Sequence, residues 1–388
     1  MSERLATSPA AVTSAGISSV GVAYGMARYG FGLLAPDIRA EFGLSSGTLG
    51  LLAAASYVAY LITCVAAGGL TGRLGPRAMV VAGGLCAVVG MAVAGLARSP
   101  ATLFAGLLVA GASAGLVFPP FSAVAARTID SARRPRLLAA VSSGTGWGVA
   151  VAAPIALACG TNWRAAWLSF AALAAAATVW AVLVLPGGGP GASSAPAAPL
   201  RPRWFLCPRS GPLLAGAGLV GVASSVYWTF GADHVIRDGD LTSAQSRLFL
   251  AVVGVASVGG TVAGDAVRRV GGRATFAAAA AAEAIALALL GSVPGNLAAV
   301  LLSAGLFGAA YNVIVAVAVI WSGVVFAERP GAGLAAVVLM NATGLLLGPP
   351  VLGAVADRTG FGPVFAAAGV LMVALMSLAP REELDPQS

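Results

Sequence analysis

Twelve apolar runs, each about as long as a bilayer is thick, dominate the chain. They fall at roughly 12–34, 47–70, 78–98, 101–124, 137–159 and 164–185, then at 212–232, 244–267, 274–292, 297–322, 334–356 and 361–379. Glycine, proline or charged residues bound each run. About 20 apolar residues cross a hydrocarbon core as a helix. In lipid the backbone must satisfy its own hydrogen bonds, so each run predicts a transmembrane helix. The pattern therefore predicts an all-α membrane protein with 12 transmembrane helices.

The runs form two sets of six. Residues 1–185 are expected to make one six-helix bundle and 212–388 a second, ending in a short tail. Between them, 186–211 is rich in Gly, Pro, Ala and Ser and reads as a linker. The two sets repeat each other. Arg73-Leu-Gly75-Pro-Arg77 recurs as Arg269-Val-Gly271-Gly-Arg273, each after glycines spaced by four (Gly68 and Gly72, Gly260 and Gly264). Val20-Gly-Val-Ala23 matches Val220-Gly-Val-Ala223, and Leu138-Ala-Ala-Val141 matches Leu334-Ala-Ala-Val337. Ordered matches at a nearly constant offset point to two pseudo-symmetric halves.

Composition agrees. The chain is 59% hydrophobic and 9% charged, with a mean hydropathy of +0.92. A soluble domain carries about 25% charged residues. The net charge of +8 comes from arginine alone, a usage that fits a GC-rich bacterial genome. With the N-terminus inside, fifteen arginines fall in cytoplasmic segments and six in outer ones. The positive-inside rule then puts both termini in the cytoplasm, and the charge reads as topology rather than nucleic-acid binding. The N-terminal stretch is read as a first membrane helix rather than a cleaved leader. The four cysteines form no Cys-x-x-Cys pair and there is one histidine, so no metal site is expected. No phosphate-binding Gly-x-x-x-x-Gly-Lys-Ser/Thr loop is present and no cofactor is implied. Nor is there a credible Ser/His/Asp set, so an enzyme is not expected.

On these residues the chain resembles the major facilitator superfamily. The resemblance rests on the 6+6 helices, the central linker and the basic loop after helices 2 and 8. In the first copy of that loop Gly68, Arg73, Gly75 and Arg77 match the superfamily signature, while Gly72 replaces its aspartate. The second copy has Asp265 one turn earlier and Arg268, Arg269 and Arg273 in its basic part. The run Met26-Ala-Arg-Tyr-Gly-Phe-Gly-Leu-Leu-Ala-Pro36 is similar to the first helix of YbfB/YjiJ-like bacterial members. The resemblance implies a monomeric secondary transporter of the bacterial inner membrane, working by alternating access on a small solute. It also implies gating by Gly68, Gly72, Arg73, Gly75, Arg77, Asp265, Arg269 and Arg273.

Two charged residues stand out inside the apolar runs. Arg28 lies about two-thirds through the first, where an arginine costs about 2.5–3.5 kcal/mol on insertion scales. It is either an anion anchor, through its two-pronged guanidinium, or a structural side chain paired with Asp37. Glu283 sits mid-way through the ninth run, in an alanine stretch. It is either a proton carrier or a neutral side chain bonded to a neighbouring helix. Tyr24 is one turn from Arg28 and shares its face. Tyr57, Tyr60, Trp147, Tyr227, Tyr311, Asn312 and Asn341 fall in helices that line the cavity in the superfamily, and join Arg28 and Tyr24 as candidate substrate contacts. His234 reads as a solvated loop histidine beyond the seventh run.

These residues favour transport of a small organic anion, with protons as coupling ion. The rival is efflux of a hydrophobic compound, suggested by Gly344-x-x-x-Gly348-Pro349 in the eleventh run, a pattern similar to one in drug/proton antiporters. A membrane sensor or scaffold that has lost transport is the alternative from another class.

Overall fold

A computed structural model describes residues 8–128, 134–186 and 209–380. The expected linker, apart from its ends, and the tail from 381 lie outside the described residues, as do Arg4, Arg133, Arg201, Arg203, Arg381 and Cys207. Among the described residues, twelve helices are long and apolar enough to cross a membrane. The first crossing is broken into α1 (Pro9–Val20), a π-helical turn (Gly21–Met26) and α2 (Gly30–Phe42). There follow α3 (Ser46–Leu74), α4 (Pro76–Gly95), α5 (Pro100–Thr128), α6 (Arg134–Ala158) and α7 (Trp163–Val184). The second set opens with α8 (Ser210–Arg237). Its second crossing is α9 (Ser243–Ser257), a 3₁₀ turn (Val258–Val262) and α10 (Ala263–Val270). The set closes with α11 (Gly272–Ser292), α12 (Leu297–Val325), α13 (Pro330–Thr359) and α14 (Phe361–Leu375).

Local chemistry starts these helices. Proline occupies the first turn of α1, α4 and α13, where its missing N–H is no loss. Asn162 and Asn296 cap α7 and α12 by accepting from Ala165 and Ala299 N–H, both at 3.1 Å. Thr242 and Gln245 form a reciprocal capping box at α9.

The chain divides into two compact units. One comprises Met1–Phe42 and Ala55–Pro199; the other comprises Gly43–Ala54 and Leu200–Ser388. The boundary therefore runs through α3, whose first turns belong with the second unit.

The internal repeat is visible in backbone geometry. Gly75 has φ +83° and ψ +155°, and Gly271 has φ +84° and ψ +156°. Both copies of the basic loop turn on a glycine in the same left-handed conformation, which other residues adopt only with strain. Glycines also build close helix seams in both units. A Cβ on Gly25 would lie 2.5 Å from Gly148 Cα, so the π turn and α6 touch backbone to backbone. In the second unit a Cβ on Gly221 would lie 2.2 Å from Asn341 O, where α8 meets α13. Small residues allow such close approach in lipid, where van der Waals packing drives association.

Candidate functional site

The break in the first crossing positions Arg28. Ala27 N–H donates to Val22 O (2.8 Å) and Tyr29 N–H to Tyr24 O (3.2 Å), both five residues back. These wide turns end α1, and α2 restarts at Gly30. A π segment inside a membrane helix commonly marks a functional site.

Arg28 is 7% exposed and sits among four tyrosines. Its guanidinium carbon is 4.5 Å from the Tyr60 ring centre, 4.6 Å from Tyr57, 5.1 Å from Tyr29 and 5.3 Å from Tyr24. Tyr57 is also hydrogen-bonded to Arg28. Tyr57 and Tyr60 are three residues apart on α3, hence on one face. Tyr24 packs edge-on against Tyr60 and Phe118. A desolvated cation–π contact is worth about 2 kcal/mol. The two nearer rings, at ~4 kcal/mol together by that figure, match the ~3 kcal/mol cost of inserting an arginine. Ring contacts thus stabilise the buried guanidinium while leaving its positive charge in place.

Four candidates, Tyr24, Arg28, Tyr57 and Tyr60, come together here. Tyr29 was not among them. In a regular helix neighbouring side chains diverge by about 100°; here Tyr29 lies at the break, its N–H bonded five residues back to Tyr24 O. Trp147 projects from α6 and is 48% exposed.

The second-unit candidates are taken up by protein groups. Tyr227 is fully buried, stacked on Phe307 at 3.7 Å, with its hydroxyl 2.7 Å from Ser303 Oγ. Tyr311 donates to Asn341 Oδ1 (3.2 Å), and Asn341 Nδ2 donates to Ala217 O (3.3 Å), joining α12, α13 and α8. Asn312 Nδ2 donates to Gly308 O of its own helix at 3.2 Å. Glu283 is 0% exposed and meets Ser224 Oγ of α8 at 2.5 Å.

His234 departs from expectation. It is 2% exposed, not a solvated loop residue, because α8 runs on to Arg237. Its Nδ1 is 2.8 Å from Asp238 Oδ2, its Nε2 is 3.0 Å from Leu290 O, and its ring stacks on Phe365.

Residues 20–378 match the sequence profile of the family described as "Uncharacterised MFS-type transporter YbfB". This chain belongs to that family of the major facilitator superfamily. Relatives of the superfamily member include the "Transcription regulatory protein OpdE" of Pseudomonas aeruginosa, 27% identical over 349 residues (88% of this chain, 86% of OpdE). Human "Monocarboxylate transporter 11" is 28% identical over 392 residues (93% of this chain, 80% of the relative). Among solved structures the nucleoside transporter NupG superposes with a TM-score of 0.75 at 14% identity, covering 95% of this chain and 98% of NupG. A POT family transporter in complex with 5-aminolevulinic acid gives 0.77 at 12% identity, covering 95% and 94%. The superfamily fold and a transporter family are thereby established for this multi-pass membrane protein.

Most of the basic side chains of the superfamily's loop lie at the surface of each unit. Arg73, Arg269 and Arg273 are exposed. Arg77 Nη2 donates to Val182 O at 2.5 Å, tying the first loop to the end of α7. Asp265 pairs with Arg268 on its own helix. Gly72 has open space around it, while Gly68 lies within α3.

At the other end of the first unit, sequence reasoning missed a clamp. Glu41 accepts both terminal nitrogens of Arg164 (2.7 Å each) and Trp163 Nε1 (2.8 Å), and Arg164 Nε donates to Ala97 O (2.9 Å). In the second unit Asp357 accepts from Ser46 N–H (2.7 Å) and Gly47 N–H (2.9 Å) at the start of α3. Pairing a lone acid with a distant partner leaves no local sequence signal.

Proposed function

We propose that this protein is a secondary transporter that carries a small organic anion across the cytoplasmic membrane, with Arg28 as the anion-binding group. The observation that carries the reading is the guanidinium of Arg28, buried at a helix break and ringed by tyrosines. The rings contact it through their faces. Its N–H donors lie in the guanidinium plane, so a carboxylate can be taken edge-on by the two-pronged geometry arginine favours. Tyr24, Tyr57 and Tyr60 supply hydroxyls around the same charge. Broken membrane helices are a recurrent way to build such sites, and alternating access of two six-helix repeats is the mechanism that goes with them. The arginine distribution supports cytoplasmic termini.

The test is uptake into proteoliposomes from a panel of labelled organic anions, with neutral solutes of matching size as controls. Arg28→Ala is expected to abolish anion uptake. Arg28→Lys keeps charge but not the fork, and is expected to lower uptake by roughly tenfold or more, since the two cations are not interchangeable at a bidentate site. Wild-type uptake by Arg28→Ala would refute the anion assignment.

The name of the Pseudomonas aeruginosa relative favours a second reading, a membrane sensor in which solute binding is read out as regulation. Saturable, Arg28-dependent binding of an anion that never crosses the bilayer would select it.

A further inference from the structure

α8 and α11 are joined by polar groups at three levels. Ser224, Tyr227 and His234 recur along α8; Glu283, Ala286 and Leu290 recur along α11. Ser224 meets Glu283, Ser303 links Tyr227 to Ala286 O, and His234 meets Leu290 O. Glu283 is the one acid on α11, and it is fully buried.

Counting hydrogens fixes how Glu283 is held. Ser224 Oγ lies 2.8 Å from Val220 O and 2.5 Å from Glu283 Oε1. A hydroxyl has one hydrogen and a backbone carbonyl only accepts. If Ser224 donates to Val220 O, the hydrogen in the shorter contact belongs to Glu283. If Ser224 donates to Glu283 instead, a charged carboxylate rests on a single neutral donor. Its Oε2 is buried and makes no hydrogen bond among the described residues. No arginine or histidine there pairs with it. A buried charge held so poorly is the costlier arrangement. Giving the acid its own hydrogen places both hydrogens in bonds and leaves no charge in the seam.

We propose that Glu283 holds a bound proton in this conformation, and that the Glu283–Ser224 pair is the proton-binding site that couples the transporter; the coupling half of this rests on the transport function proposed above. Losing the proton leaves an anion in a dry seam, so release requires α8 and α11 to part enough to admit water. The groups facing Glu283 are few. From α8 come Ser224 and Tyr227, the latter the other titratable group within electrostatic reach. α12 contributes Ser303, and α14 has no ionisable residue. Proton occupancy at Glu283 therefore reports on the seam itself.

Infrared difference spectra of the whole protein in lipid, wild type against Glu283→Gln near pH 7, read the proton without any transport assay. A carboxylic-acid carbonyl band present only in wild type is expected, and Ser224→Ala is expected to shift it by removing its acceptor. Carboxylate bands in place of the acid band, or an acid band indifferent to Ser224→Ala, overturn the site. Glutamine keeps the shape and can still donate to Ser224 Oγ, so the variant is expected to fold. Coupling is read in proteoliposomes: one pH unit drives about tenfold accumulation per coupled proton. Glu283→Gln is expected to lose that accumulation and retain equilibrium exchange. Gradient-driven accumulation in Glu283→Gln overturns the coupling role. An acid band that persists while Arg28→Ala transports normally leaves the proton site standing and sinks the anion reading.

Discussion

Replacing Gly25 by alanine probes the contact that holds Arg28 in place. A methyl group there would lie 2.5 Å from Gly148 Cα, 2.7 Å from Gly148 C and 2.8 Å from Thr145 O. Those are backbone atoms, so no flexible side chain can swing aside. Ordinary carbon contacts fall at about 3.5–4.0 Å, so the π turn and α6 must part by roughly 1 Å. Overpacking of this kind costs about 1–3 kcal/mol. Alanine returns about 0.5–1 kcal/mol by restricting the unfolded backbone, leaving a net loss of up to about 2.5 kcal/mol. Gly69 is the control. It too is helical, but a Cβ there meets nothing within 4 Å. Gly69→Ala should therefore stabilise by up to ~1 kcal/mol. Denaturant unfolding of both variants in mixed micelles should show shifts of opposite sign. Gly25→Ala lies three residues from Arg28, so it should also weaken anion binding while Gly69→Ala does not. Equal stability of the two variants would refute the close approach of these helices and the positioning of Arg28 that depends on it.

Two further outcomes follow from the backbone. Gly75→Ala and Gly271→Ala should each cost about 1–3 kcal/mol, the penalty of a side chain at positive φ and extended ψ, a region essentially reserved for glycine. Nothing lies within 4 Å of a Cβ on Gly271, so the strain there is purely conformational. Both variants should lose stability in thermal unfolding; a gain from either would contradict the positive-φ backbone at that glycine. Asp357→Ala removes the acceptor of Ser46 and Gly47 N–H, with a cost near 1 kcal/mol typical of a helix cap. Amide exchange at those two residues should quicken about fivefold, and unchanged exchange there would show that the carboxylate does not hold the start of α3.

Much of the architecture was legible along the chain because its causes are local. A backbone in lipid can only bond to itself, so twelve apolar runs became twelve crossings. The repeated basic loop carried a glycine because its turn needs left-handed backbone, and that is what Gly75 and Gly271 adopt. Arg28 drew attention by its depth alone, and Tyr24 shared its face by one helical turn. What remained hidden depends on which helix faces which. The burial of His234, the stacking of Tyr227 on Phe307, the Glu41–Arg164 clamp and the Asp357 cap all need partners far away in sequence. In a soluble helix the polar face would reveal the buried one. Here lipid is as apolar as the core, so the pattern shows where each helix crosses but not which side it turns inward. Close packing between helices decides that, and the site around Arg28 exists only once it has.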